Sequence, residues 1–147
     1  MTLDLINPFD GSLICSLDHD SESDVQEKLQ ASHQIQQIWS RVPLEKRISI
    51  VEEGLDHFRA RAQETARDVT LQMGKPITEA RNELETVFDR ANYMLSIAEE
   101  SLAAEVLPQK EGFHRRIEHE PLGVVLNLAA WNYPLIIPIN VVVPALV

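Results

Sequence analysis

The hydrophobic and polar positions of the chain change period along its length, and each change marks an element. Residues 3–17 read as two short strands around Asn7-Pro8-Phe9-Asp10-Gly11, because Asn-Pro and Asp-Gly both supply turn geometry. Ser21 to Ser23 offer N-caps ahead of a first helix, which carries Val25, Leu29, Ala31, Ile35, Ile38 and Trp39 on one broad face. Pro43 suits the first turn of a second helix. Its stripe runs Leu44, Ile48, Val51, Leu55, Phe58 and Ala62 in alternating steps of four and three and continues weakly through Val69 and Met73. Gly74-Lys75-Pro76 is a stop signal, since glycine takes the left-handed position after a helix and proline cannot continue one. A third helix follows from about Thr78 to Ala103 with the cleanest stripe in the chain: Leu84, Val87, Phe88, Ala91, Met94, Leu95, Ala98 and Leu102.

Beyond that helix the pattern becomes extended. Phe113 to Glu120 places charges on alternating faces, as an exposed strand or an intersubunit ribbon does. Pro121-Leu122-Gly123 turns the chain, Val124 to Ala130 reads as a buried strand, and Trp131-Asn132-Tyr133-Pro134 leads into a last apolar segment. From Pro121 to Val147 there is no charged residue. Such a run is long enough to span a bilayer, which needs about 20 apolar residues. Its four prolines and three asparagines, and the lack of a basic or aromatic flank on the far side, favour instead a strand and helix deep inside an α/β core. An apolar run that closes the sequence leaves a patch to be covered, so the expectation is a piece of something longer. No internal repeat is present.

Composition narrows the function. With 13 Lys+Arg against 23 Asp+Glu the net charge is −10, which excludes the cationic stripe of a nucleic-acid binder. The single cysteine, Cys15, rules out an intramolecular disulfide framework and suits a reducing cytoplasm. The first residues lack the basic start and apolar core of a signal peptide. The five histidines have no metal-ligand spacing, and the five glycines form neither a G-x-G-x-x-G fingerprint nor a P-loop. Glu52-Glu53 and Glu99-Glu100 fall on polar helix faces and read as solvated surface.

One position carries chemistry. Asn132 stands at the carboxyl end of the expected buried strand, where ligands of α/β sheets gather. A side-chain amide held there is a preorganised donor for a developing oxyanion. The same residue type before a proline-started helix also reads as an N-cap, and spacing leaves both readings open.

Several segments together carry a family likeness. Glu120-Pro121-Leu122-Gly123-Val124-Val125, Ala130-Trp131-Asn132-Tyr133-Pro134 and Pro144-Ala145-Leu146, preceded by Asn7-Pro8 with Gly11, Trp39, Arg47, Met73-Gly74-Lys75-Pro76 and Glu79-Ala80, resemble the motif succession of the NAD(P)-dependent aldehyde dehydrogenase superfamily. The resemblance spans essentially the whole chain. It implies an α/β fold of which this is the N-terminal part: an opening hairpin, three helices, one ribbon strand, and a first Rossmann-like strand and helix. Residues 1–112 would be the N-terminal helical part of the coenzyme-binding domain, 113–120 a strand of the bridging or oligomerisation sheet, and 121–147 the start of the Rossmann-like core.

By the same resemblance Asn132 matches the asparagine of the oxyanion hole, and Ala130, Trp131 and Asn132 match the stretch lining the nicotinamide-ribose end of an NAD or NADP site. No metal is implied. The family's nucleophilic cysteine, general-base glutamate and cofactor turn have no counterpart in this sequence, so the chain is expected to be inactive alone. Expected partners are a small-molecule aldehyde in the parent enzyme and a second copy or a complete chain, with no nucleic acid and no membrane. A noncatalytic truncated subunit acting only in association is the alternative, and a membrane-tailed helical protein a distant third.

Overall fold

The computed structural model describes residues 2–147. β1 (Thr2–Ile6) and β2 (Leu13–Asp18) pair antiparallel from Thr2 opposite Asp18 to Ile6 opposite Leu13, with a bulge after Leu5 that leaves Ile14 as the extra residue. The loop between them closes on itself. Asn7 N–H donates to the Ser12 carbonyl, Gly11 N–H to the Asn7 carbonyl, and Phe9 N–H to Asn7 Oδ1. Asp10 accepts from both the hydroxyl and the N–H of Ser12, which lowers its carboxyl pKa from the ordinary value.

α1 (Glu22–Trp39) starts on a capping box: Asp24 N–H donates to Ser21 Oγ while Ser21 N–H donates to the Asp24 carboxylate. The Ser21 hydroxyl also binds that carboxylate, and these bonds lower its pKa. α1 ends at Trp39 as its stripe predicts, yet it buries no residue, and Val25, Leu29, Ile35 and Ile38 stay exposed.

The expected second helix is two. α2 (Leu44–Ala60) follows an extended Pro43, which takes the N-cap rather than the first turn. At Arg61 the backbone leaves helical geometry (φ −103°, ψ 11°), and α3 (Ala62–Met73) resumes at once. Neither proline nor glycine marks the break. The apolar steps run through it unbroken from Val51 and Leu55 to Ala66 and Val69, so periodicity alone could not reveal it.

α4 (Ile77–Leu102) is the centre of the molecule. Its buried positions Ala80, Leu84, Val87, Phe88, Ala91, Leu95 and Ala98 follow the helical period, and α2, α3 and α5 (Ile136–Leu146) all pack on it. The alanines at 66, 80 and 91 are fully buried, and their small side chains bring the helix backbones close. Phe58 meets Phe88 edge to face with centroids 5.6 Å apart, and the Arg59 guanidinium lies 4.1 Å from the centre of the Phe88 ring. Burying each Leu, Val or Phe contributes about 1.5–3 kcal/mol.

Two sequence expectations are corrected after α4. The ribbon expected over 113–120 is strand only at β4 (Arg116–Ile117), which pairs antiparallel with β3 (Glu105–Val106). Residues 124–130, expected as a buried strand, form no strand: Leu126 and Leu128 are 82% and 85% exposed. A strand needs a neighbour for its N–H and C=O groups, and among the described residues none lies alongside this one. The apolar segment after Pro134 does become the helix α5. No helix among the described residues is long and apolar enough to cross a membrane.

Gly74 ends α3 in the left-handed region (φ 74°), and a Cβ there would sit 3.1 Å from Pro8 Cγ, so the hairpin loop rests against the α3–α4 turn. Gly54, within α2, faces open space. Gly74→Ala is expected to cost about 1–2 kcal/mol, whereas Gly54→Ala is expected to gain about 0.5–1 kcal/mol. Urea unfolding midpoints of the two variants check the contrast.

Candidate functional site

The turn Asn132–Ile136 joins residues 124–130 to α5, and α4 and the α3–α4 turn hold it. Glu83 lies on the buried stripe of α4, between Ala80 and Val87, with its side chain only 1% exposed. Its Oε1 accepts the N–H of Leu135 at 2.8 Å and of Ile136 at 3.1 Å, and its Oε2 meets Lys75 Nζ at 2.5 Å. Helix N-termini leave their first N–H groups unsatisfied. Here a carboxylate from another helix takes two of them and also meets the positive end of the α5 dipole.

Lys75 comes from the Gly74-Lys75-Pro76 turn and is 10% exposed. Besides Glu83 it reaches the Asn132 carbonyl at 3.5 Å and sits 3.8 Å from the centroid of the Tyr133 ring. A desolvated ammonium over an aromatic face is worth up to about 2 kcal/mol. One cation therefore contacts residues 132 and 133, and its partner carboxylate contacts residues 135 and 136, on opposite sides of Pro134.

Asn132 itself is exposed, and its side chain makes no hydrogen bond among the described residues. The N-cap reading of this residue is corrected: the position before α5 is Leu135, and the cap is the Glu83 carboxylate. Ala130 and Trp131 precede it on the surface, Trp131 being 80% exposed. The three sequence-selected residues thus form one exposed stretch with a free amide at its end. Cys15 pairs across the hairpin with Leu5 and is half-buried. The five histidines are exposed, and no group of three or more His, Cys, Asp and Glu suited to a metal occurs among the described residues.

In the sequence Lys75 stands out as part of a stop signal and of the family-like Met73-Gly74-Lys75-Pro76 segment, and Glu83 does not stand out at all. The signal existed: glutamate is almost never fully buried unless paired, and Glu83 occupies an apolar stripe one turn from both Ala80 and Val87. The rest of α5 is tied down too. Arg90 Nη1 donates to Asn140 Oδ1 at 3.1 Å, and Trp39 Nε1 donates to the Leu146 carbonyl at 2.9 Å.

The site does not suit the diphosphate of a dinucleotide. The N-terminus of α5 already holds a carboxylate, and no glycine-rich turn precedes it.

The family model described as the aldehyde dehydrogenase family matches residues 1–147. Among solved structures, an aldehyde dehydrogenase from Brucella melitensis biovar abortus 2308 is similar at 26% identity and a TM-score of 0.92, over 99% of this chain and 30% of that one. An NADP-dependent glyceraldehyde-3-phosphate dehydrogenase from Bacillus halodurans C-125, complexed with NADP, is similar at 25% identity and a TM-score of 0.90, over 99% and 32%. PnpE in complex with nicotinamide adenine dinucleotide is similar at 26% identity and a TM-score of 0.91, over 99% and 30%. The chain thus spans about a third of the length of these structures.

Removing the Glu83 carboxylate leaves the Lys75 ammonium buried without a counter-charge and frees two N–H groups. Glu83→Ala is expected to cost about 3–5 kcal/mol. Glu83→Gln, whose Oε1 still accepts from Leu135 and Ile136, loses less. Denaturant unfolding of the two variants side by side measures the difference.

Proposed function

The chain belongs to the aldehyde dehydrogenase family, and from that premise we propose that it supplies the N-terminal part of an enzyme oxidising a small-molecule aldehyde with NAD or NADP. The reaction is aldehyde plus NAD(P)+ plus water to carboxylate plus NAD(P)H plus two protons. The observation that supports a role for this segment is the exposed, unpaired Asn132 amide at the turn before α5. Aimed at the aldehyde oxygen, it donates a hydrogen bond that strengthens as that oxygen gains negative charge. Bound NAD(P)+ supplies the hydride acceptor, and Ala130, Trp131 and Asn132 line its nicotinamide-ribose end.

In this reading residues 1–112 belong to the helical part of the coenzyme-binding domain, 113–120 to a bridging or oligomerisation sheet, and 121–147 to the start of a Rossmann-like core. The polypeptide works in the cytoplasm. The 147-residue chain alone is inactive, because its only thiol, Cys15, lies on the opening hairpin, away from the turn that carries Asn132.

In a complete enzyme polypeptide that begins with this chain, Asn132→Ala is expected to lower kcat by about 100- to 1000-fold while leaving unfolding unchanged. Near-normal turnover with chemistry rate-limiting would remove Asn132 from the mechanism. The isolated chain, assayed for aldehyde-dependent NAD(P)H formation, serves as the blank.

A second reading, a noncatalytic subunit that acts only in association, has its own support in the exposed apolar residues of α1 and of 122–128. Burial is worth roughly 25 cal/mol per Å², so pairing even a modest patch favours assembly by several kcal/mol. The net charge of −10 opposes it only weakly, because exposed charges farther apart than about 8 Å are screened at physiological salt. Size-exclusion chromatography with light scattering is expected to find oligomers. A sharp monomer peak with cooperative unfolding would contradict association.

A further inference from the structure

The Lys75–Glu83 pair lies in the site but outside the chemistry just proposed, and its geometry is specific to the turn that carries Asn132. The ammonium touches the Asn132 carbonyl and the Tyr133 ring, and the carboxylate accepts from Leu135 and Ile136. Between them lies Pro134, whose fixed φ leaves little other freedom. Four of the five residues of the turn are therefore held by two side chains that also hold each other. That is more restraint than docking α5 requires, since Arg90 and Trp39 anchor the helix further along.

The geometry points to Lys75 and Glu83 as a two-sided electrostatic clamp that positions the turn 132–136 and, with it, the direction in which the Asn132 amide points. The inference rests on the reading of Asn132 as an oxyanion donor. Both clamp residues are positioning residues: Lys75 acts on the backbone of Asn132, and Glu83 fixes where α5 begins. The peptide carbonyl that Lys75 holds belongs to the same residue as the donor amide, so the clamp restrains the backbone at the point from which that side chain leaves. A low-dielectric setting strengthens each contact, and the pair is nearly closed to solvent. A donor displaced by about 1 Å loses on the order of 100-fold in rate, so a clamp on the donor's own backbone bears directly on the chemical step.

The test has two arms. In the 147-residue chain, hydrogen exchange of the segment 131–137 is followed by mass spectrometry in Lys75→Met, Lys75→Arg and Arg90→Met. Lys75→Met keeps the stem and removes the charge, and should speed exchange of this segment at least about tenfold. Lys75→Arg should restore part of the protection. Arg90→Met, which loosens α5 away from the turn, should leave the segment protected even if overall stability falls. In the complete enzyme Lys75→Met should lower kcat about 10- to 100-fold with KM within about twofold, Lys75→Arg should recover part of it, and Arg90→Met should leave kcat unchanged.

Protection of 131–137 at the wild-type level in Lys75→Met, or equal loss in Arg90→Met, would overturn the clamp. If Asn132→Ala lowers kcat and Lys75→Met does not, the clamp is wrong and the oxyanion reading stands. If Asn132→Ala leaves kcat intact, that reading fails, and the exchange arm still decides whether the pair fixes the turn.

Discussion

A buried carboxylate, Glu83, is the constraint on which the turn 132–136 and the docking of α5 depend. Taking an ionised carboxylate out of water costs several kcal/mol even after relaxation. The cost is offset only because one ammonium and two backbone N–H groups converge on it. Every one of those partners is also fixed by Glu83 in return. α5 has 11 residues, shorter than the length at which a helix holds together in water unaided, so its existence follows from docking onto α4. Val143, fully buried, leads the apolar part of that docking with Leu135, Ile139 and Val147 beside it, and Glu83 supplies its starting point.

The polar anchors of α5 also settle its direction. Glu83 meets residues 135 and 136, and Arg90, two turns further along α4, meets Asn140. Contacts that advance together along both chains mean that α4 and α5 run in the same sense. At the far end the Trp39 indole donates to a carbonyl of the last turn of α5, one of those that a helix leaves without intrahelical donors. That bond ties α1 to α5, although α1 itself buries nothing. The result is a well-packed centre of α2, α3, α4 and α5, with an α1 whose apolar face is still turned outward.

How much of this was legible in the sequence depended on whether the signal was local. The α4 stripe as far as Ala98, the Gly74 stop, the hairpin around Asn7 to Gly11 and the end of α1 at Trp39 all rest on periodicity or turn chemistry within a few residues and appear as read, while Leu102, expected in the stripe, is exposed. The break at Arg61 was invisible because the apolar steps continue through it. The failure at 124–130 has a different cause. Its doubly apolar pattern describes a strand covered on both faces, and the covering is not among the described residues, so pattern and structure disagree without either being misread. Asn132 was legible as a polar residue in an apolar context. Glu83 carried the same signal, but inside a long helix a single acidic residue is easily taken for surface.

The position of Glu83 also constrains what α5 can bind. In many α/β folds the first helix after the first strand turns its N-terminal N–H groups toward a ligand phosphate. Here those groups at Leu135 and Ile136 already serve a carboxylate of the chain's own, and a phosphate beside it would meet a like charge in a poorly screened site. The dipole of α5 is therefore committed to holding the fold. What remains exposed at this end is neutral: the Asn132 amide and the backbone of residues 130–132. In the oxyanion role proposed for Asn132, a neutral donor binds an uncharged carbonyl weakly and gains strength only as charge develops on the oxygen. The same carboxylate that closes the helix terminus to phosphate thus leaves this turn with a neutral hydrogen-bond donor whose backbone is held by a cation.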